Sequence, residues 1–213
     1  MKSALILTTL VLAAGLANAS IVSGSVTKVS PDKARDNLFK IKTPTDTKPL
    51  SVINVNKNDT VFGFDEQQNV QFGTAPSFNL AGLTGVNANT WVSSHYVYFD
   101  PKISQNIQGT VTFSDTILGV YFTKNSLWAS HDEFGLASNV TYNYANLIGL
   151  ENGDRSHTSI LGNVLSFNWT ASSPGDHIRV ITAAVPEPET YAMLLAGLGL
   201  IGTIARRRKA AQA

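Results

Sequence analysis

Short runs of alternating apolar and polar residues fill the region from residue 20 to about 183, and they limit the possible fold more than any other feature. In the run 164–171, Leu165, Phe167 and Trp169 alternate with polar residues. Successive side chains of a strand point to opposite faces, so this alternation is typical of a strand with one buried face. We find no long stretch of 3.6-residue periodicity in this region. The pattern predicts an all-β domain.

The spacing of these runs indicates an antiparallel β-sandwich or jelly roll. The clearest predicted strands are residues 51–56, 91–99, 109–113, 117–122, 164–171 and 178–182. Turns are predicted at 58–59, 76–77, 100–101, 152–154 and 174–176, where Asn, Asp, Gly, Pro and Ser cluster. Short helical turns are expected at 31–38 and 127–136.

The N-terminus has the pattern of a secretory signal peptide. Met1 and Lys2 precede an apolar run of about 13 residues, and Ala17-Asn18-Ala19 supplies the small residues that a signal peptidase accepts. We expect cleavage after Ala19, so Ser20 becomes the first mature residue. The chain has no cysteine, which excludes disulfides, thiolate metal sites and cysteine nucleophiles.

The C-terminus combines a proline-containing segment, an apolar stretch and a basic end. Residues 191–205 are apolar or small apart from one threonine, and as a helix they would span about 22 Å, short of the roughly 30 Å hydrocarbon core. Interfacial residues can extend that reach, so we expect one transmembrane helix. The positive-inside rule keeps Arg206, Arg207 and Arg208 cytoplasmic. The prolines at 186 and 188 predict an extended segment before the helix.

Pro186-Glu187-Pro188, the glycine-containing apolar helix and the terminal arginines together resemble the PEP-CTERM sorting signal. This signal occurs on exported proteins of Gram-negative bacteria that make extracellular polysaccharide. The resemblance implies recognition and cleavage by a membrane-embedded exosortase. The same C-terminal segment also ends some proteins labelled as ice-binding. We therefore divide the chain into a signal peptide (1–19), an extracellular β-sandwich domain (20–183) and a sorting signal (184–213).

The body also resembles a group of small exported PEP-CTERM proteins. Segments 58–69, 94–101, 109–120 and 173–182 carry the resemblance. That group has no established activity, so the resemblance implies architecture and export but no mechanism.

The histidines and the hydroxyl residues do not form a recognisable catalytic or metal-binding motif. His95, His131, His157 and His177 are dispersed without an HExxH or HxH pattern, and we expect them at the surface or at strand edges. The letters Asp154-Arg155-Ser156-His157 match a hydrolase triad, but neighbours in sequence cannot stack as nucleophile, base and orienter. A turn explains them better. We predict no catalytic residues, no metal and no cofactor.

Carboxylates and tryptophans are the residues on which the alternative hypotheses of a glycosidase, a calcium site and a sugar-binding surface depend. Asp100, Asp115, Asp132 and Glu133 are available to a glycosidase, which needs two carboxylates across a cleft. Weak calcium hypotheses rest on Asp65-Glu66 and on Asp32 with Asp36. Trp91, Trp128 and Trp169 are candidates for a sugar-stacking platform, with Trp169 also fitting the core.

The favoured function is that of an exported, exosortase-sorted surface or extracellular-matrix protein without enzymatic activity. Its expected partners are the exosortase, the inner membrane during processing and, as a candidate, exopolysaccharide. A net charge of +1 leaves no electrostatic footprint for nucleic acid. An extracellular carbohydrate-active enzyme is the alternative. An ice-binding protein is a weaker one, because threonines form only isolated pairs such as Thr45/Thr47 and Thr110/Thr112.

Overall fold

A computed structural model describes residues 18–30, 38–71, 86–134, 136–184 and 195–202. The body, Asn18–Val185, forms one compact unit. Its strands are β1 Ile21–Ser30, β2 Phe39–Ile41, β3 Leu50–Ser51, β4 Val61–Asp65, β5 Val70–Gln71, β6 Trp91–Phe99, β7 Gln105–Phe113, β8 Ile117–Tyr121, β9 Val140–Thr141, β10 Ser159–Leu161, β11 Val164–Ala171 and β12 Asp176–Ala183. The helices are α1 Lys124–Phe134 and α2 Asn152–Ser156.

Two larger sheets build the body, and the all-β prediction is confirmed. One sheet has the strand order β1-β7-β11-β10, and the other β2-β4-β6-β12-β8, with β5 also on β6. Their pairings are antiparallel except for the parallel pair β2–β4, and β3–β9 forms a separate parallel pair.

The alternation in β7 and β11 places one apolar face of the four-stranded sheet in the core. Ile107, Val111, Leu165, Phe167 and Trp169 are buried there in one cluster with side chains of the six-stranded sheet. That second sheet contributes Val97, Phe99, Ile178 and Val180, among others. Burying this many large apolar side chains, at about 1.5 to 3 kcal/mol each, is what holds the two sheets together.

The six-stranded sheet is buried on both faces. Its second face packs against another apolar cluster that includes Tyr96, Tyr98 and Ile181 from the sheet and Leu127 and Phe134 from α1. The middle strands β6 and β12 are therefore covered from both sides, which explains their almost unbroken burial.

Some elements differ from those that the sequence predicts. The strand expected at 51–56 is only two residues long, because Asn54 and Asn56 adopt left-handed backbone conformations with φ of 53° and 55°. The turn expected at 152–154 is the beginning of α2. The helical turn expected at 127–136 exists as α1 and begins three residues earlier. Residues 31–37 and 76–77 lie outside the described residues.

Candidate functional site

A polar row crosses three strands on the core side of the six-stranded sheet. Asp65 on β4 lies directly opposite His95 on β6. His95 Nδ1 is 2.6 Å from Asp65 Oδ1, and His95 Nε2 is 3.0 Å from Thr182 Oγ1 on β12. The backbone N–H of Ile21 also donates to Asp65 Oδ1 at 2.9 Å.

The Asp65–His95–Thr182 row has the residue types of a nucleophilic triad, but it is buried too deeply to act as one. His95 and Thr182 are completely inaccessible to solvent, so no substrate carbonyl can approach the Thr182 hydroxyl. Through Ile21, the row also ties β1 to β4. Its supported role is to satisfy buried polar groups and to hold these strands in register.

A buried ion pair lies on the other face of the same sheet. Arg179 Nε and Nη2 donate to the two oxygens of Glu66 at 2.6 and 2.7 Å, and neither side chain is exposed to solvent. Arg179 Nη1 donates to Ser130 Oγ on α1 at 2.5 Å, and the Tyr142 hydroxyl donates to Glu66 at 2.6 Å. This Arg179–Glu66 network joins β12, α1 and the segments after β4 and β9.

The electrostatics of the network keep its arginine charged and its phenols protonated. Burial disfavours the charged form of Arg179, but the Glu66 carboxylate outweighs it and raises the pKa of the guanidinium. Burial, together with the Glu66 charge, raises the pKa of Tyr142. The Asp65-Glu66 calcium hypothesis gains no support, because both Glu66 oxygens are bound by Arg179 and Tyr142, and Asp65 Oδ1 is bound by His95 and Ile21.

The histidines are not all surface residues as the sequence suggested. His95 and His177 are completely buried, His131 is nearly so, and only His157 is exposed. Burial lowers the pKa of His177 to about 4, and burial with the nearby Arg179 charge lowers that of His131 to about 4. The covered faces of β6 and β12 account for His95 and His177. The letters 154–157 belong to α2 and its C-cap, and the Asp154 carboxylate accepts the backbone N–H of Thr170 at 2.9 Å.

The four carboxylates considered for a glycosidase have separate surroundings. Asp100 is buried at the end of β6 and accepts the N–H of Val55, and Asp115 accepts the hydroxyl of Ser114. Asp132 is exposed on α1, and Glu133 accepts the hydroxyl of Tyr121. The carboxylates that do meet are Glu151, Asp154 and Asp176, and they form the only group of three candidate metal ligands among the described residues. Asp32 and Asp36 lie outside those residues.

The tryptophans do not form one platform. Trp169 is completely buried in the core, where it stacks on Phe167. Trp91 is exposed at the start of β6. Trp128 on α1 is half-buried beside the exposed Tyr144, with their ring centroids 6.2 Å apart.

The outward face of the four-stranded sheet is polar and almost free of charge. Ser25, Thr110 and Ser166 lie side by side on β1, β7 and β11, and Asn106 Nδ2 donates to Asn168 Oδ1 and Thr170 Oγ1. Gln108 and Asn168 form the next cross-strand pair. We call these residues the outer polar face; their hydroxyl and amide groups are at least partly exposed.

The predicted processing residues are described only in part. Ala19 is buried just before β1, and the Ser20 N–H donates to Ser114 Oγ at 2.9 Å. Ala17, the Pro186–Pro188 motif and the three terminal arginines lie outside the described residues. Within the tail, residues 195–202 are helical, with exposed Leu195, Leu198 and Ile201. No helix among the described residues has both the length and the hydropathy to cross a membrane.

Only the C-terminal segment of this chain matches a known family model. The family model of the PEP-CTERM protein-sorting motif matches residues 184–209, so the predicted sorting signal is confirmed. The motif implies export and processing by an exosortase. Comparisons with curated proteins and with solved structures found no significant match to this chain.

Proposed function

We propose that this protein is a non-enzymatic surface or extracellular-matrix component, which an exosortase releases from a transient membrane anchor and which then contacts exopolysaccharide. The observation that carries the sorting step is the PEP-CTERM motif over residues 184–209. In this proposal residues 1–19 direct export, the apolar helix holds the chain in the inner membrane, and Arg206 to Arg208 stay cytoplasmic.

The sorting step is tested by changing the motif while leaving the apolar helix intact. Pro186, Glu187 and Pro188 are replaced together by alanine, and a tagged protein is followed through cell fractionation with and without the host's exosortase. We expect the variant to be exported and inserted but to accumulate uncleaved in the inner membrane. Replacing Thr45, Thr47 and Lys48 by alanine in the exposed turn of the body is the matched control and should leave processing unchanged. Release of the motif variant at the normal rate would mean that the segment is only an anchor.

The outer polar face supports the contact with polysaccharide. Sugars present dense hydroxyl groups, and a flat array of uncharged hydroxyl and amide groups can hydrogen-bond to them without desolvating a charge. The cavities near the carboxylates offer less support for an enzyme. One of about 230 Å³ is lined by Lys42, Asp65 and Glu66, among others, and another of about 100 Å³ is lined by Glu151 and Asp176, among others. Both are smaller than the roughly 300 to 1,000 Å³ of ordinary ligand pockets.

The glycan contact is tested with the exported protein on an array of bacterial polysaccharides, with hydrolysis products assayed in parallel. We expect binding without hydrolysis. Replacing Asn168 and Thr110 by alanine should weaken binding at least about fivefold, since each removed hydrogen bond contributes about 0.5 to 1.5 kcal/mol. The control Thr45→Ala changes an exposed threonine away from this face and should bind normally. Release of sugars during the assay would favour the carbohydrate-active enzyme instead.

A further inference from the structure

Three carboxylates from two elements meet at one end of the body. Glu151 precedes α2, Asp154 lies within α2, and Asp176 begins β12. One oxygen of each lies within 4.8 Å of the others. Glu151 is exposed, whereas Asp154 is 7% exposed and Asp176 is 1% exposed. No pattern in the sequence indicates this meeting, because Asp176 lies 22 positions after Asp154.

Such an arrangement is unfavourable unless something neutralises it. Like charges this close repel each other, and burial adds the cost of removing carboxylates from water. Within the described part of the chain, no lysine or arginine forms an ion pair with any of the three carboxylates.

Asp176 also has an unused oxygen. Its Oδ2 is buried and has no hydrogen-bond partner among the described residues, although buried polar atoms are almost always paired. Asp176 and Glu151 line a cavity of about 100 Å³ together with the loop 172–175. That volume suits an ion with a few waters but is too small for a sugar.

A buried side-chain amide without a partner lies on the strand next to β11. Gln105 is 1% exposed, and neither its amide oxygen nor its amide nitrogen has a hydrogen-bond partner among the described residues. It lies opposite Ala171 in the sheet, and Ala171 lines the same cavity. Carboxylates with neutral carbonyl oxygens and water are the ligands of Ca²⁺, which takes six to eight oxygens in flexible geometry.

We propose that Glu151, Asp154 and Asp176 form a binding site for a divalent cation of the oxygen-preferring class, with Ca²⁺ as the ion. The bound ion would join α2 to the start of β12. Asp154 is already tied to β11 through the N–H of Thr170, so the ion would fasten three elements at this end of the body.

Trp169 gives a direct optical test. Its Nε1–H donates to Thr158 Oγ1 at 2.8 Å, and the Thr158 hydroxyl donates to the backbone oxygen of Asp154 at 2.7 Å. Two hydrogen bonds in succession therefore link the Trp169 indole to the backbone of Asp154, one of the three carboxylate residues. We expect Tb³⁺, used as the probe, to show indole-sensitised luminescence on the exported protein purified from its host, and Ca²⁺ to displace it. We also expect 10 mM Ca²⁺ to raise Tm by about 3 to 10 °C if affinity is typical of extracellular modules.

Variants distinguish binding of Ca²⁺ at this site from a general effect of ionic strength on stability. Asp176→Asn and Glu151→Gln should each abolish the luminescence and the Ca²⁺-dependent rise in Tm. Glu151 is exposed, so its variant keeps the test valid even if Asp176→Asn does not fold. The control Asp132→Asn removes one exposed carboxylate from α1 and should retain both signals. The proposal is overturned if the wild type shows neither signal, if NaCl of equal ionic strength raises Tm equally, or if Asp132→Asn loses the signals as well.

Discussion

At the scale of single residues, polar groups in the covered sheet distinguish this protein from a purely apolar sandwich. The Arg179–Glu66 network and the Asp65–His95–Thr182 row lie on opposite faces of the same strands. The sequence predicts neither of them, although all five residues are visible in it. Their contacts depend on the register of β4, β6 and β12, and on strands separated by tens of residues. Local patterns predict which face a side chain points to but not which partner it meets there.

The Arg179–Glu66 pair should be costly to break on one side. We expect Arg179→Met or Glu66→Leu alone to lower the free energy of unfolding by about 3 to 5 kcal/mol, because each leaves a buried charge without its partner. The double variant should lose clearly less than the sum of the two single losses. Urea unfolding of the wild type, the two single variants and the double variant measures this coupling. Additive losses would contradict a direct ion pair between Arg179 and Glu66.

Burial of His177 should make stability depend on pH. Its folded pKa of about 4 lies below the usual value of about 6.5, so between these values the unfolded state binds the extra proton. This group therefore makes the protein less stable as pH falls from about 6.5 to 4, by on the order of 3 kcal/mol in total. Comparing wild type with His177→Gln isolates the effect, because Asp100, Asp154 and Asp176, with raised pKa values, act in the opposite direction in both proteins.

The stability advantage of the wild type over His177→Gln should thus shrink as pH falls through this window. Unfolding by urea at several pH values measures it. The variant His157→Gln, which changes an exposed histidine, provides the control and should follow the wild type. A constant difference between pH 7 and pH 4 would show that His177 is not held neutral.

At the scale of elements, regular alternation of apolar and polar residues predicts strands well, whereas irregular strands are not predicted. The runs in β6, β7, β8, β11 and β12 were all recognised, with ends shifted by a few residues. The sequence does not predict β1 as a clear strand, because its burial does not alternate strictly. Its pairing with β7 is interrupted between Ile21 and Ser23 and between Val26 and Lys28. Such irregularities break the two-residue period on which the prediction depends.

Close approach of β1 and β7 makes one glycine indispensable. A Cβ at Gly109 would lie 2.1 Å from the backbone oxygen of Ser25 and 2.8 Å from the ring of Phe167. We expect Gly109→Ala to destabilise the protein by at least about 1 to 3 kcal/mol, because backbone on one side and a packed ring on the other leave no room. Gly153→Ala is the matched control. Nothing lies within 4 Å of its Cβ position in α2, so it should be neutral or stabilising by up to about 1 kcal/mol. Thermal unfolding of the two variants measures the difference in stability. Equal Tm values would contradict the steric conflict at Gly109.

At the scale of the whole molecule, the sequence is most informative about the C-terminal sorting signal and least about the function of the body. The sorting signal could be predicted because it is a local motif, whereas the surface of a sheet is built from side chains brought together from distant strands. The outer polar face is one example, since it combines residues of β1, β7 and β11.

Export should generate a defined mature N-terminus. We expect cleavage after Ala19, which leaves Ser20 as the first residue, directly before β1. The backbone of Ser20 is paired with Ser114 at that point, so the mature chain would begin where the sheet begins. Mass spectrometry of the exported protein measures the N-terminus. A chain that still begins with Met1 would contradict the prediction, and replacing Ala19 by a bulky residue should block the cleavage.

The position of β12 affects the order of events during export. β12 ends at Ala183, one residue before the matched motif, yet it lies between β6 and β8 inside the six-stranded sheet. A chain that is exported from its N-terminus delivers this interior strand as the last of the body's strands. The six-stranded sheet can therefore be completed only when the residues directly before the sorting motif have been exported. A prematurely terminated chain would lack both this strand and the sorting motif.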